Sequence, residues 1–435
     1  MQSQSSIALA LLCALAVTAG AARAEAGTAV APAAAMAPPA EPTGPLSLDA
    51  ALGLALSANP ELSAATNELR AVEGAVIQAG LLPNPEISTS IEDTQNRATR
   101  STTVQLGQRL ELGGKRAARV ATAERGRDVA TADLAARRLE TRATVVGAFF
   151  DVLVAQERVQ QADDLLALAG RATLAAGRRV AAGKVSPVEE TRARVAEAAA
   201  RIELNQARAD LAVARKRLAA TWGSAQARFS LAEGRTEALP GLLSDDALAH
   251  RLEAAPALVR WRHEVARFTA QAELEKARRL PDVTVSVGAK RAEELGRNQA
   301  IVGFSVPFPL FDRNQGTLLE ALRRADKARD ELRAAELRLG AEASQNQERL
   351  KALLADVRTL QQEILPGARS AYDAASKGFE LGKFSFLEVL DAQRTFFQAR
   401  AQYLKSLSDA HRTAADLERV LGAITSPSSV MADRP

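Results

Sequence analysis

Cys13, His250, His263 and His411 are the side chains here best suited to nucleophilic, redox or soft-metal chemistry, and their spacing supports none of it. One cysteine cannot build a CxxC redox centre, a disulfide framework or a Cys-rich zinc site. The three histidines are scattered, with no metal-ligand spacing among them. No Gly-rich phosphate loop of either common type is present. Without the first 24 residues, only Met36 and Met431 remain as thioethers, too few for a soft-metal relay. The sequence therefore predicts no catalytic residue, no metal ligand set and no cofactor, and an enzyme reading has no support.

Charge and composition narrow the field further. Over 435 residues, Lys and Arg number 56 against 52 Asp and Glu, a net charge of only +4. Nucleic-acid binders usually concentrate a basic excess, so none is expected as a partner. The chain is 47% hydrophobic but only 4% aromatic, and its apolar content is mostly Ala, Leu and Val. Large compact cores lean on aromatic rings. Ala and Leu interleaved with Arg and Glu predict long helices packed as coiled coils. After residue 24 no apolar run reaches the ~20 residues of a membrane helix. That test does not address a β-barrel.

The amino terminus reads as an address. Ile7 to Gly20 is apolar, and Ala22-Arg23-Ala24 follows as an A-x-A cleavage signal. A secretory signal peptide over residues 1–24 is expected, although Met1 to Ser6 holds no Lys or Arg. Leu12 precedes Cys13, where a lipoprotein site wants a small residue, so no lipid anchor is expected there. Residues 25–45 are rich in Ala and Pro and read as a disordered lead-in.

The rest of the chain is written twice. Ala181-Ala182-Gly183-Lys184-Val185-Ser186-Pro187-Val188-Glu189 returns 199 residues later as Glu380-Leu381-Gly382-Lys383-Phe384-Ser385-Phe386-Leu387-Glu388. Trp222-Gly223 maps onto Leu421-Gly422 at the same offset, Leu82-Pro83 onto Leu280-Pro281, and Pro60 onto Pro256. The first repeat spans 46–223, an inter-repeat linker 224–243, the second repeat 244–422 and a tail 423–435.

Each repeat has the same grammar. A first helix runs Leu48–Leu81 or Ser244–Arg279 and ends at a proline. Two alternating segments follow within 86–110 or 282–308; Ile87, Thr89 and Ile91, for example, alternate with polar neighbours. Period two with one apolar face predicts half-buried strands, each of membrane-spanning length. A very long helix comes next, Lys115 to about Ala181 and Asn314 to about Glu380. At ~1.5 Å per residue each would reach about 100 Å. Gly turns at 181–187 and 380–386 lead into returning helices Pro187–Thr221 and Phe386–Leu421. Gly183 and Gly382 sit where a helix needs a left-handed residue to stop. Ser186-Pro187-Val188-Glu189 is a capping box with Pro at the first helical position. On the returning helix Val188, Val195, Ile202 and Ala209 form one seam and Leu204, Leu211 and Leu218 another, about 200° away. Two seams suit a helix with a neighbour on each side. Val389, Phe396, Tyr403, Ala410 and Leu417 keep the seven-residue spacing in the second repeat. Four strands cannot close a membrane barrel, which needs at least about eight. A barrel from this chain would be shared, and three copies would bring twelve strands.

This order, behind a signal peptide, resembles the TolC-like outer-membrane efflux channels. Phe379 to Ala392 looks like that family's second periplasmic turn. Gln108 to Arg116 and Val306 to Gly316 resemble the hairpin exits of the branch serving cobalt–zinc–cadmium, nickel and copper resistance pumps. The resemblance covers roughly residues 46–423. It implies a mainly α fold with a small β part. Tandem-duplicated coiled-coil hairpins would form a periplasmic α-barrel, and four strands per chain would contribute to a trimeric 12-stranded outer-membrane β-barrel. The implied function is a passive conduit exporting divalent heavy-metal cations. The implied partners are a homotrimer's other copies, a periplasmic adaptor, a proton-driven inner-membrane transporter of the resistance-nodulation-division type, and outer-membrane lipid.

The resemblance also assigns residues. Glu388 and Asp391 match the paired acids of the family's tip constriction, six carboxylates in a trimer, which would favour cations. Glu388 also completes its own capping box. Glu189 and Arg192 occupy the matching places in the first repeat, where Arg192 could pair with an acid across the tip. Lys383 stands one place before the family's basic gate position, which is Phe384 here. Gly183, Lys184, Val185, Gly382, Lys383 and Phe384 are the adaptor-contact candidates, and Phe384 has a rival role in packing against the neighbouring tip. Arg178, Arg179 and Lys377 read as solvated helix charges, and Trp222 and Trp261 as packing residues near the junction of the repeats. Three other readings compete. A drug-export channel would share every feature above. A periplasmic adaptor would show one hairpin inserted between β-rich halves, and a structural coiled coil would lack barrel strands.

Overall fold

The computed structural model describes residues 41–234, 239–381, 383–384 and 386–422. The expected signal peptide, most of the lead-in, the tail, Gly382 and Ser385 lie outside the described residues. The elements run α1 (Leu48–Ala58), α2 (Pro60–Gly80), β1 (Glu86–Glu92), β2 (Ser101–Leu110), α3 (Lys115–Ala181) and α4 (Pro187–Ala220). The second repeat follows with α5 (Asp245–Glu253), α6 (Pro256–Ala277), β3 (Val283–Ala292), β4 (Arg297–Ser305), α7 (Gln315–Thr359), a π turn (Leu360–Ile364), α8 (Leu365–Glu380) and α9 (Phe386–Leu421).

Two expected helices are broken in the structure. Leu48–Leu81 divides at Asn59, and Ser244–Arg279 divides at Ala254–Ala255. Each break precedes a proline that opens the next helix. The residue before a proline is pushed to extended backbone, and ψ is 124° at Asn59 and 131° at Ala255. Asn59 turns the break into a joint: its Oδ1 accepts from Leu62 N–H at 3.0 Å and its Nδ2 donates to Thr221 carbonyl at 2.8 Å. The glycines that end the returning helices, Gly223 and Gly422, have φ of +79° and +86° and pack against Pro60 and Pro256 respectively. The repeated sequence landmarks thus meet in space, one pair per repeat.

α3 is continuous for 67 residues. Its counterpart in the second repeat is not: the π turn separates α7 from α8 just before Pro366. Pro366 has no N–H to donate four residues back, and a π turn absorbs the mismatch without ending the helix.

α3 packs against α2 and α6 at its sheet end and against α4 and α9 toward its tip, while α7 packs on α6 and α9. These contacts place α4 and α2 on one side of α3, and α9 and α6 between α3 and α7 on the other. Two apolar clusters hold the middle of the protomer. One gathers Phe149, Phe150, Leu218, Trp222 and Phe229, and the other gathers Leu258, Leu339, Leu417, Val420 and partly buried Trp261. Between the repeats, α3 and α9 are stitched by Arg142–Glu418 at 3.2 Å, Arg412–Asp151 at 2.5 Å and Arg400–Glu157 at 2.7 Å. These pairs are partly exposed and fix alignment more than stability, each worth up to about 1 kcal/mol. Glu41 and Gly44, in the expected lead-in, bond to Arg228 and Ser230 of the linker, and Leu46 bridges Ala232.

Candidate functional site

The four strands form one antiparallel sheet in the order β1-β2-β3-β4, so the two hairpins are joined through β2 and β3. Register aligns the side chains in rows. Ile87, Leu106, Val287 and Val302 form one row, and Thr89, Val104, Ala289 and Ala300 the next. The opposite face carries Glu86, Gly107, Ser286 and Gly303, then Ser88, Gln105, Gly288 and Ile301. One face is apolar and exposed, the other mainly polar, and the outer edges of β1 and β4 have no partner among the described residues. An isolated sheet of this kind is an edge hazard; it is an expected part of a larger closed barrel.

Sheet and helices are coupled by a salt-bridged junction. Arg119 on α3 donates to Glu111 at 2.6 and 3.1 Å, and also to the carbonyls of Ala79 (2.8 Å) and Leu81 (3.0 Å). Hydrogen bonding to the Glu111 carboxylate holds the Arg119 guanidinium above its ordinary value. Lys115 reaches Asp282 of the other repeat at 2.6 Å. Buried Glu275 accepts from Gln271, Arg278 and Asn314 at 2.7–2.9 Å. Arg119→Ala leaves a shielded carboxylate and two helix-end carbonyls without their donor. It is expected to cost about 1.5–3 kcal/mol and to lower the midpoint for thermal loss of helical circular dichroism.

At the far end the tips are built alike. Gly183 has φ +67°, Gly183 N–H donates to Val180 and Lys184 N–H to Arg179, both at 2.9 Å. That is a Schellman stop. In the second repeat Lys383 N–H donates to Gly378 at 2.8 Å, the equivalent bond. Ser186 caps α4 through Val188 N–H at 3.4 Å.

The candidate residues fall as follows. Glu189, Arg192, Glu388, Asp391, Lys184 and Lys383 are exposed at the tips, and Val185 is half-buried. Asp391 lines a groove of about 620 Å³ between α3, α4 and α9, shared with Arg158, Arg394 and Phe397. Its surroundings are therefore mixed in charge. Phe384, an adaptor-contact candidate with a rival role in packing, folds back onto Gly378, where its ring occupies the space a Cβ would take, and stays 44% exposed. Arg179 was expected to be merely solvated; its guanidinium sits over the Phe379 ring at 5.0 Å and joins the two tips of one protomer. The 199-residue offset pairs Arg179 with Gly378, one residue before Phe379, and so sets both residues at the same level of their repeats.

The seams separate by partner. Leu204 and Leu218 are buried within the protomer, whereas Val188, Val195 and Ile202 are 55%, 65% and 71% exposed. In the second repeat the Val389, Ala410 and Leu417 seam lies 199 residues after the Leu204–Leu218 seam and is likewise buried, whereas Arg394 and Ala401, the counterparts of Val195 and Ile202, are exposed. α9 lies between α3 and α7, while α4 packs on α3. The other wall edge, α7, also exposes apolar groups at Leu319, Leu322 and Leu337. Helical wall and sheet both end in unpartnered edges.

The family model described as outer membrane efflux protein matches residues 51–224 and again 247–423, one match on each repeat. The chain belongs to the outer membrane efflux protein family. It is 46% identical over 384 residues to the cobalt-zinc-cadmium resistance protein CzcC of Cupriavidus metallidurans, covering 88% of this chain and 92% of that one. It is 32% identical over 286 residues to the nickel and cobalt resistance protein CnrC of the same organism, covering 64% and 67%. Its fold matches the crystal structure of CusC with TM-score 0.73 at 18% identity, over 87% of this chain and 92% of that chain. It also matches the outer membrane protein VceC of Vibrio cholerae with TM-score 0.70 at 19% identity, over 86% and 96%. The chain thus belongs to a family of outer-membrane efflux proteins and has the fold of these channel structures.

Proposed function

We propose that three copies of this chain close into a conduit that exports divalent heavy-metal cations across the outer membrane. The observation that carries the channel is the pair of open edges. A twelve-stranded barrel follows when β1 of one copy meets β4 of the next, and the same closure brings the Val188–Ile202 seam against α8 of a neighbour. The likeness to CzcC supports the metal substrate. Residues 1–24 direct secretion and are cleaved, which leaves a large periplasmic extension. The tips meet a periplasmic adaptor, through Lys184, Val185, Lys383 and the exposed half of Phe384, with Gly183 shaping the first turn. A proton-driven inner-membrane pump of the resistance-nodulation-division type supplies the energy. The chain supplies the path.

Selectivity resides at the tip. Glu388 and Asp391, tripled, present six carboxylates to the narrow end, opposed by Arg192 and Lys383 beside Glu189. A unit charge at about 4 Å in water is worth about 1 kcal/mol, or about fivefold in preference. Asp391→Asn is therefore expected to reduce the cation-over-anion permeability ratio several-fold in planar bilayers, read from reversal potentials under a salt gradient. An unchanged ratio would remove Asp391 from the constriction.

A further inference from the structure

The apolar face of the sheet is too short for a membrane. Its rows run from Leu110 and Val283 to the row of Thr89, Val104, Ala289 and Ala300. The next row is Ile91, Thr102, Arg291 and Asn298, mostly polar. Val283 to Ala289 covers about 20 Å along the strand, or about 16 Å along the bilayer normal at a usual tilt. A barrel presents a band about 25 Å tall. The missing height must lie at the helix end, because the other end is already polar.

The connections at that end are apolar and exposed. Leu81 and Leu82 precede β1, Leu112 follows β2 and Leu280 precedes β3, all exposed. The connection after β4 is the most pronounced. Val302, Phe304, Val306 and Phe308 keep the alternation of β4 beyond its last paired residue, Ser305, with Gly303, Ser305, Pro307 and Pro309 between them. Pro307 and Pro309 have no N–H for a ladder, so pairing stops while the alternation continues. Phe308 is 81% and Phe311 91% exposed. Counting from Ala300 to Phe308 gives about 21 Å along the normal, and Leu310 and Phe311 bring the band to about the required height. Exposed Arg116, Arg279 and Arg313 lie just beyond it, with Asp312 the exposed acid among them.

We infer that the connection Val306–Phe311 is a lipid-facing collar, seated with Leu112 and Leu280 in the periplasmic phospholipid leaflet, with Phe308 and Phe311 in the acyl boundary and the arginines at the phosphates. Aromatic girdles and basic flanks are the groups that tolerate that boundary. The inference rests on the outer-membrane barrel proposed above and assigns its lower limit.

The mature chain would hold no cysteine, so single labels are clean. Nitroxides are placed at Phe308→Cys, Phe311→Cys, at Val302→Cys on the sheet and at Glu336→Cys on exposed α7, with the oligomer reconstituted in phosphatidylethanolamine–phosphatidylglycerol vesicles. Only variants that keep the heat-resistant oligomer are read; Val306→Cys and Leu310→Cys replace either phenylalanine variant that fails. Spin relaxation by oxygen and by a water-soluble nickel chelate reports depth. The collar predicts oxygen access and nickel protection at 302, 308 and 311, and the reverse at 336. Nickel access at 308 and 311 with lipid exposure at 302 would overturn the collar and keep the barrel. Nickel access at all sites would overturn both. Protection of 308 and 311 from both reagents would place a neighbouring protomer there and overturn the collar.

Discussion

Aspartate at Val195 and Ile202 together is expected to abolish the oligomer while each protomer keeps its helices. Both side chains point away from the protomer core, at 65% and 71% exposure. Little burial within the chain is lost, so helical circular dichroism should change little. In the assembled channel each would be buried against a neighbour, and burying such a side chain is worth about 1.5–3 kcal/mol. Two sites at each of three interfaces lose that term and gain uncompensated carboxylates in an apolar seam. Light scattering after chromatography should read a single protomer. A persistent trimer would show that the α4 seam is not the contact between copies. Leu204→Asp provides the contrast: Leu204 is buried with Ala162 and Ala207, so its variant should damage the protomer itself.

The second large effect is expected at Phe149→Ala. Phe149 is fully buried, meets Phe150 edge-on at 6.1 Å between ring centroids and packs against Gly234. It belongs to the cluster that joins α1, the middle of α3 and the end of α4. Truncating a buried phenylalanine costs about 3–5 kcal/mol, because the cavity adds to the lost transfer energy. Thermal loss of helical signal should begin several degrees earlier. A change below about 0.5 kcal/mol would mean the surrounding wall collapses into the space.

The repeat made most of this fold readable in advance. Gly183 and Gly382 marked the tips because stopping a helix needs a left-handed residue, and period-two alternation at Ile87–Ile91 and Val283–Val287 marked strands. Other features were hidden for physical reasons. Pro60 and Pro256 were visible as repeat landmarks, yet a proline at a first helical position and a proline that breaks a helix look alike until the preceding residue's backbone is seen. The π turn at Leu360–Ile364 follows from Pro366, which a helix can also accommodate by a kink. The two seams of α4 were legible, but which one faces a neighbour depends on wall order, a long-range property. At the tips, no local rule says that Gly378 leaves room for the Phe384 ring, so the sequence leaves its contact and packing roles open. Arg179 over Phe379 joins residues 200 apart and needed the repeat register to be anticipated.

The most direct test is the growth of a strain lacking this chain across graded zinc, cobalt, cadmium, nickel and copper, beside a panel of antibiotics and detergents. Metal export predicts selective loss of tolerance to one or more divalent metals, restored by the intact chain and not by the Val195→Asp, Ile202→Asp variant. Unchanged metal tolerance with new sensitivity to organic compounds would contradict it and make the conduit a drug exporter.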